Sequence, residues 1–430
     1  MASRKSRRGG GDRGGGSARG SVRGRKGGPT PLDGAVGLAF FTYAVSAIVT
    51  PICLVLMARE LAFTLSAGGG LEIMRSILIV VVLLASGFAS ARWGKERSLG
   101  LGGFVVGAGY VLYSVAPGYG SVLAAAALIG MGSGMWEGLL NPLVQELHPV
   151  DSGRYLNLIG SLYSGGILIT VLVSGELLTR AVSWRLIILG VGFLSILCGI
   201  LFFVFDRGRK ERGWTTGGGA GARKERIPPS GGVLVSVFRS KTDVLKHPRF
   251  WIFFPLMFLA GGTEGGLTYW SASYIQLYFG ALPRMGGVGT ALFAAGMMIG
   301  RFSAGWFVRQ HRIWHLLLGA AVLGAGVTAA VPFVASQYTF FAVLFLAGLS
   351  VASFWPSIQS YSADRIPLDP TALFILLSVG GVPGYGAVAW IMGIVGDRYG
   401  LTASFIMVPI LFAALAALLI IERLWKPARN

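Results

Sequence analysis

The sequence predicts an all-α membrane protein in which twelve transmembrane helices form two six-helix pseudo-repeats. Three observations point there. Of 430 residues, 53% are hydrophobic and only 13% are charged, against about a quarter charged in soluble domains. The apolar residues gather in runs such as 76–91 and 407–421, and about 20 such residues cross a hydrocarbon core. One polar interior stretch divides the chain into comparable halves. A soluble globular protein is excluded.

Residues 1–33 are rich in Gly, Arg and Ser and hold too little apolar surface to offset the entropy of ordering. They are expected to be a disordered basic tail without the apolar core of a signal peptide. Arg-Gly content also fits nucleic acid. Loop charge explains it without that partner, so no nucleic acid is expected and anionic membrane lipid is. Six spans follow near 34–57, 71–91, 98–116, 119–146, 153–178 and 183–205, forming a bundle over 34–206. Residues 207–246 read as a basic linker containing Arg207, Arg209, Lys210, Arg212, Arg223, Lys224 and Arg226. Spans near 248–278, 285–308, 313–334, 338–362, 371–395 and 401–422 form the second bundle, 247–424, and 425–430 end the chain.

With twelve crossings both termini share one side. The tail, the linker, the loop Arg92–Arg97 and Arg309 with Arg312 carry most of the positive charge there, whereas the opposite loops hold little beyond Arg59, Arg180, Arg284 and Arg398. The loop-charge rule makes the termini cytoplasmic.

The halves also read as copies. At an offset of about 213, Trp93 maps to Trp306; at 214, Pro142 maps to Pro356, Gln145 to Gln359 and Ser164 to Ser378. Parallel six-helix repeats imply a pseudo-twofold axis along the membrane normal and a midplane site between them.

An ionisable side chain inside a span is costly and marks function by default. Two carboxylates qualify. Glu137 lies deep in span 4, within Gly132–Pro142, and Glu264 deep in span 7, within Gly261–Trp270. A carboxylate removed from water favours its neutral form, which suits a reversible proton carrier; the plainer reading of each is an interhelical hydrogen bond. Asn141 stands one turn from Glu137 on the same face. With Asn157, Tyr269, Trp270, Trp355 and Gln359 it supplies the amides and aromatic surfaces that bind a polyhydroxylated solute. Each aromatic is equally suited to packing or to an interfacial belt.

Glycines cluster at 130–134, 261–266 and 380–384, where helices approach closely or bend. Glu72 and Arg75, one turn apart, are expected to form a local pair or a gate. Arg301 is expected to reach toward the cytoplasmic end rather than the solute. Cys53, Cys198 and the four histidines have no metal-ligand spacing, so no metal or other cofactor is expected. No nucleotide-binding loop occurs, and an enzyme is not expected.

The loop Gly87-Phe88-Ala89-Ser90-Ala91-Arg92-Trp93-Gly94-Lys95-Glu96-Arg97 resembles the major facilitator superfamily signature G-x-x-x-D-R-x-G-R-R, with Ala91 in place of Asp. The resemblance implies gating roles for Gly87, Arg92, Gly94, Lys95 and Arg97, and for Gly300 and Arg301 in the corresponding element after span 8. The turn Asp397-Arg398-Tyr399-Gly400 looks like a further copy, but helix counting places it outside and no gate role is assigned. Glu137-x-x-x-Asn141-Pro142 and Leu156-Asn157-Leu158 are similar to the fucose/glucose/galactose:proton symporter branch. In that branch these positions imply a sugar and proton site at Glu137 and a sugar contact at Asn157. The branch's helix 1 carboxylate is missing; Pro51 stands near its place and maps by the repeat onto Glu264, which suggests a proton site moved between halves.

The leading expectation is therefore a monomeric secondary transporter of a small polar solute such as a sugar, coupled to protons or to sodium. By resemblance it lies in a bacterial inner membrane. A proton-coupled exporter of amphipathic compounds and a transport-inactive sensor or scaffold are the other readings the sequence leaves open.

Overall fold

The computed structural model describes residues 31–148, 152–211, 241–307 and 310–425. The first bundle contains α1 (Pro31–Leu61), α2 (Leu65–Trp93), α3 (Lys95–Ser114), α4 (Tyr119–Leu147), α5 (Ser152–Thr179) and α6 (Trp184–Glu211). The second contains α7 (Phe250–Tyr278), α8 (Pro283–Phe307), α9 (Ile313–Ala329), α10 (Gln337–Val351), α11 (Phe354–Arg365), α12 (Pro370–Tyr399) and α13 (Leu401–Leu424). α10 and α11 form one crossing over 337–365, broken at Ala352 and Ser353, so thirteen helices make twelve crossings. Among the described residues eleven crossings are long and apolar enough by composition. α3 is the twelfth: its first turn holds Lys95, Glu96 and Arg97, which lowers its hydropathy, but its 20 residues span about 30 Å and pack along α4 and α6. α1 and α7 begin, and α6 and α13 end, on one side of the molecule, the linker face. The opposite side is the far face. Residues 31–33, expected in the disordered tail, open α1, and 207–211 and 241–246, expected in the linker, are helical; the tail up to residue 30, the linker from 212 to 240 and the end from 426 lie outside the described residues.

Gly94 (φ 89°) closes α2 and Gly400 (φ 83°) closes α12, conformations that a Cβ would strain. The amide of each reaches back to the carbonyl four residues earlier, Ser90 at 2.9 Å and Gly396 at 3.0 Å. The two copies of the signature turn thus share one backbone shape.

Glycines carry the helix contacts. Along α4, Gly130, Gly134 and Gly138 lie against Arg75, Ile79 and Ser86 of α2. Along α7, Gly261 meets the Gly381 carbonyl of α12, and Gly265 lies so close to Tyr385 that a Cβ would stand 2.6 Å from its carbonyl. Without a hydrophobic drive between helices in lipid, such backbone approach is what holds them.

Helix α2 begins at Leu65, not near residue 71, and the run Ala67-Gly68-Gly69-Gly70 is helical rather than a loop. Thr64 caps it, its hydroxyl accepting from Ala67 N at 3.3 Å. A Cβ on Gly69 would stand 2.6 Å from Ala389 O of α12, across the seam between bundles, whereas Gly68 and Gly70 pack on Leu54 and Tyr119 of their own bundle. That seam is closed toward the far face: Gly175 of α5 packs on Pro283 and Gly287 of α8, and Gly393 of α12 on Leu65. Arg284 N donates across it to Thr179 Oγ1 at 2.9 Å.

Gly261→Leu should lower stability by about 1–3 kcal/mol through overpacking, whereas Gly190→Leu, whose Cβ would meet nothing within 4 Å, should be near neutral. Melting of the two purified variants tests this; equal melting temperatures would refute the glycine contact as a determinant.

Candidate transport site

In the first bundle α4 carries Glu137 and α1 carries Tyr43, whose hydroxyl donates to Glu137 Oε2 at 3.0 Å. The Tyr43 ring meets Trp136 edge-on at 6.2 Å and Tyr163 of α5 at 5.8 Å. Trp136 is fully buried and donates to Leu99 O at 3.1 Å, fixing α4 against α3. Glu72 and Arg75 form the expected local pair, 2.7 Å apart and buried. Arg75 also stands within electrostatic reach of Glu137 and of Tyr110, Tyr43 and Tyr385.

In the second bundle Glu264 projects from the glycine-flanked face of α7. Arg301 Nη2 of α8 lies 3.7 Å from its Oε1, and Arg301 Nε donates to Ala352 O at 3.3 Å. The expectation that Arg301 reaches toward the cytoplasmic end is thereby corrected. A guanidinium keeps its charge at every accessible pH, and within a span the carboxylate on the facing helix is its nearest counter-charge. Gly300 permits this by packing on Leu349 and Ala352, next to the break between α10 and α11.

Two tyrosines join the halves. Tyr163 feels the charges of Glu264, Arg75, Glu137 and Arg301, and Tyr385 those of Glu72, Glu264 and Arg75. Glu137 and Glu264, on opposite bundles, therefore share one electrostatic neighbourhood.

The other expected residues divide. Asn141 is exposed on the Glu137 face. Asn157 lies on α5, with its side chain outside the described residues. Gln359 Nε2 donates to Ser378 Oγ at 3.4 Å, joining α11 to α12, and the Trp355 ring packs under Gly381. Tyr269 and Trp270 are fully buried and turned to the far-face seam. The Tyr269 hydroxyl donates across the seam to Gly68 O at 2.5 Å, and the Trp270 indole donates within its own bundle to Ala389 O at 2.9 Å, so both polar atoms are engaged by backbone.

At the linker face the Gly94 turn positions two cations. Lys95 Nζ is 2.5 Å from Glu146 at the end of α4, and Arg97 Nε is 2.8 Å from Asp206 near the end of α6. Arg92 is exposed and Gly87 faces open space. Asp397, which the sequence left without a role, makes a contact between the bundles. Its two carboxylate oxygens accept from Leu65 N and Ser66 N, each at 2.8 Å, across the seam at the start of α2. Anions are stabilised at a helix N-terminus. The turn lies on the face opposite the linker, and there it joins the two bundles.

Tyr43, Tyr163 and Tyr385 escaped the sequence reading, which noted Asp397 without giving it a role. The available signal was depth, since tyrosines of an interfacial belt sit near helix ends and these three lie well inside α1, α5 and α12.

Two six-helix bundles thus meet around a shared set of mid-span charges. The family description of the Major Facilitator Superfamily matches residues 35–375, and the chain belongs to that superfamily, whose members carry small-molecule solutes. An uncharacterised MFS-type transporter of Yersinia pestis is 25% identical over 176 residues, 40% of this chain and 45% of that protein. The match thus spans less than half of this relative. Among solved structures, a bacterial homologue of the human lysosomal transporter Spinster, inward-facing and occupied, superposes with a TM-score of 0.73 at 13% identity, covering 93% of this chain and 100% of that one. The nucleoside transporter NupG gives 0.70 at 13% identity, covering 92% and 100%. A D-xylose-proton symporter gives 0.68 at 14% identity, covering 92% and 98%. At these identities the likeness is one of fold.

Asp397→Asn should weaken far-face closure by about 1–2 kcal/mol, the worth of hydrogen bonds to a charged group. Spin labels on cysteines at Pro117 and Tyr338, with buried native Cys53 and Cys198 left in place, should then report longer distances. An unchanged distribution would rule the latch out.

Proposed function

We propose that this chain is a proton-coupled symporter of a sugar or similar polar organic solute, working by alternating access around Glu137 and Glu264. The observation that supports this most is that these two mid-span carboxylates belong to opposite bundles, yet both stand near Tyr163. A proton gained or lost at either is felt where the bundles meet. Glu137 receives the Tyr43 hydroxyl and has the exposed amide of Asn141 one turn away, a pairing suited to solute hydroxyls. A proton rather than sodium is the coupling ion in this reading, because a metal cation at Glu264 would sit beside the Arg301 guanidinium.

The linker face is read as cytoplasmic, because Lys95, Arg97, Lys241, Lys246, Arg249, Arg312, Arg365 and Arg423 gather there. The membrane is read as a bacterial inner membrane and the working unit as a monomer. With the seam sealed at the far face, the site is reached from the cytoplasm, and the solute binds from outside once the Asp397 latch opens.

In proteoliposomes an imposed gradient of one pH unit supplies about 1.4 kcal/mol per proton, about tenfold accumulation at one proton per solute. Glu137→Gln should abolish that accumulation while leaving solute exchange at equal pH. Gradient-driven uptake that survives the substitution would exclude Glu137 as a coupling site.

A further inference from the structure

The ion pairs of this protein are of two kinds. Arg75 and Glu72 are 2.7 Å apart, with side chains 9% and 4% exposed. Arg97–Asp206 at 2.8 Å and Arg185–Glu60 at 2.9 Å are also in hydrogen-bonding contact, at the 2.7–2.9 Å expected of charge-assisted bonds. Arg301 and Glu264 stand 3.7 Å apart with Arg301 31% exposed, a spacing shared by Arg365 and Glu422 near the linker face; of these two loose pairs, Arg301–Glu264 is the one at mid-span. The carbonyl that holds Arg301 Nε belongs to Ala352, at the interruption between α10 and α11, where the next residue, Ser353, has a buried hydroxyl without a partner among the described residues. Irregular backbone at membrane depth is tolerated where it lines a cavity or lies buried in protein, and broken helices frame transporter sites.

Charge sharpens the point. The centre holds Glu72, Glu137 and Glu264 against Arg75 and Arg301. Glu72 and Arg75 cancel within their closed pair. A proton placed on Glu264 removes the charge that stands beside Arg301, in a region where an unpaired charge is costly, while Glu137 stays engaged with the Tyr43 hydroxyl. An incoming carboxylate replaces that local contact, and the planar guanidinium can engage it through two parallel hydrogen bonds.

We propose that Arg301 anchors the carboxylate of an acidic solute, a sugar acid such as a hexuronate, which is carried together with the proton held by Glu264. This rests on the reading of Glu264 as a coupling site. Proton and anion each favour the other's binding by the same factor, and the step is electroneutral: one proton and one monoanion enter the site. The charged and titratable groups facing Glu264 are Arg301 from α8, Tyr163 from α5 and Tyr385 from α12. Arg301 alone among them carries a fixed charge.

The test uses purified full-length protein in proteoliposomes with glucuronate and glucose as probes. Glucuronate should accumulate under an inward-directed proton gradient and glucose should not. Arg301→Gln should weaken glucuronate binding at least roughly tenfold, the loss of one charged hydrogen bond, with Arg301→Lys intermediate. Glu264→Gln should still bind glucuronate, but with a flattened dependence on pH, which a merely structural role would not produce. Should Arg301→Gln fail to fold, the pH profiles of Arg301→Lys and Glu264→Gln decide. Proton-driven glucose uptake without glucuronate uptake would overturn the anion anchor and leave the symporter reading standing. Proton-driven uptake of neither would overturn both.

Discussion

A guanidinium within a bilayer cannot shed its charge, and much of this molecule is arranged around two of them. Arg75 is held by Glu72 one turn away on its own helix, a solution that needs no neighbour. Arg301 takes the other course, facing Glu264 from a different helix. That pairing requires α7 and α8 to keep a set distance, and the glycine faces of α7 and α8, against α12 and α10, set it. Packing and electrostatics are here one constraint: Gly261 and Gly265 bring Tyr385 beside Glu264, and Gly300 brings the Ala352 carbonyl to Arg301.

The asymmetry between the two ends of the seam follows from where carboxylates stand in the signature turns. The linker-face copy has Ala91 where the far-face copy has Asp397, and both turns close with the same glycine geometry. The far-face copy reaches the amides of α2. The linker-face copy instead spends its cations within its own bundle, on Glu146 and Asp206.

Much of this was legible in the sequence. A lone Glu in an apolar run stands out because membranes tolerate so few, and Glu137 and Glu264 were found that way. The crossings were legible because hydropathy changes sharply at their ends, except where Gly68, Gly69 and Gly70 read as a loop although they form a close helix contact. Arg301 was misdirected for a simple reason: its long stem can point either way along a helix, and only the facing helix decides. Tyr269 and Trp270 had the chemistry of solute contacts but sit too far along α7. Tyr163 and Tyr385 could not be told from packing residues, since nothing local distinguishes a ring in a core from a ring between charges.

The contact at the far face is made to the backbone amides of Leu65 and Ser66 as well as to the Ser66 and Thr64 side chains. Residue 65 contributes only its amide to that grip, a donor that every residue but proline offers. Asp397 is also the part of the seam that one base change can alter without disturbing helix packing, because the neighbouring glycine contacts would remain. A lineage could thereby drift its resting conformation while leaving the mid-span carboxylates untouched.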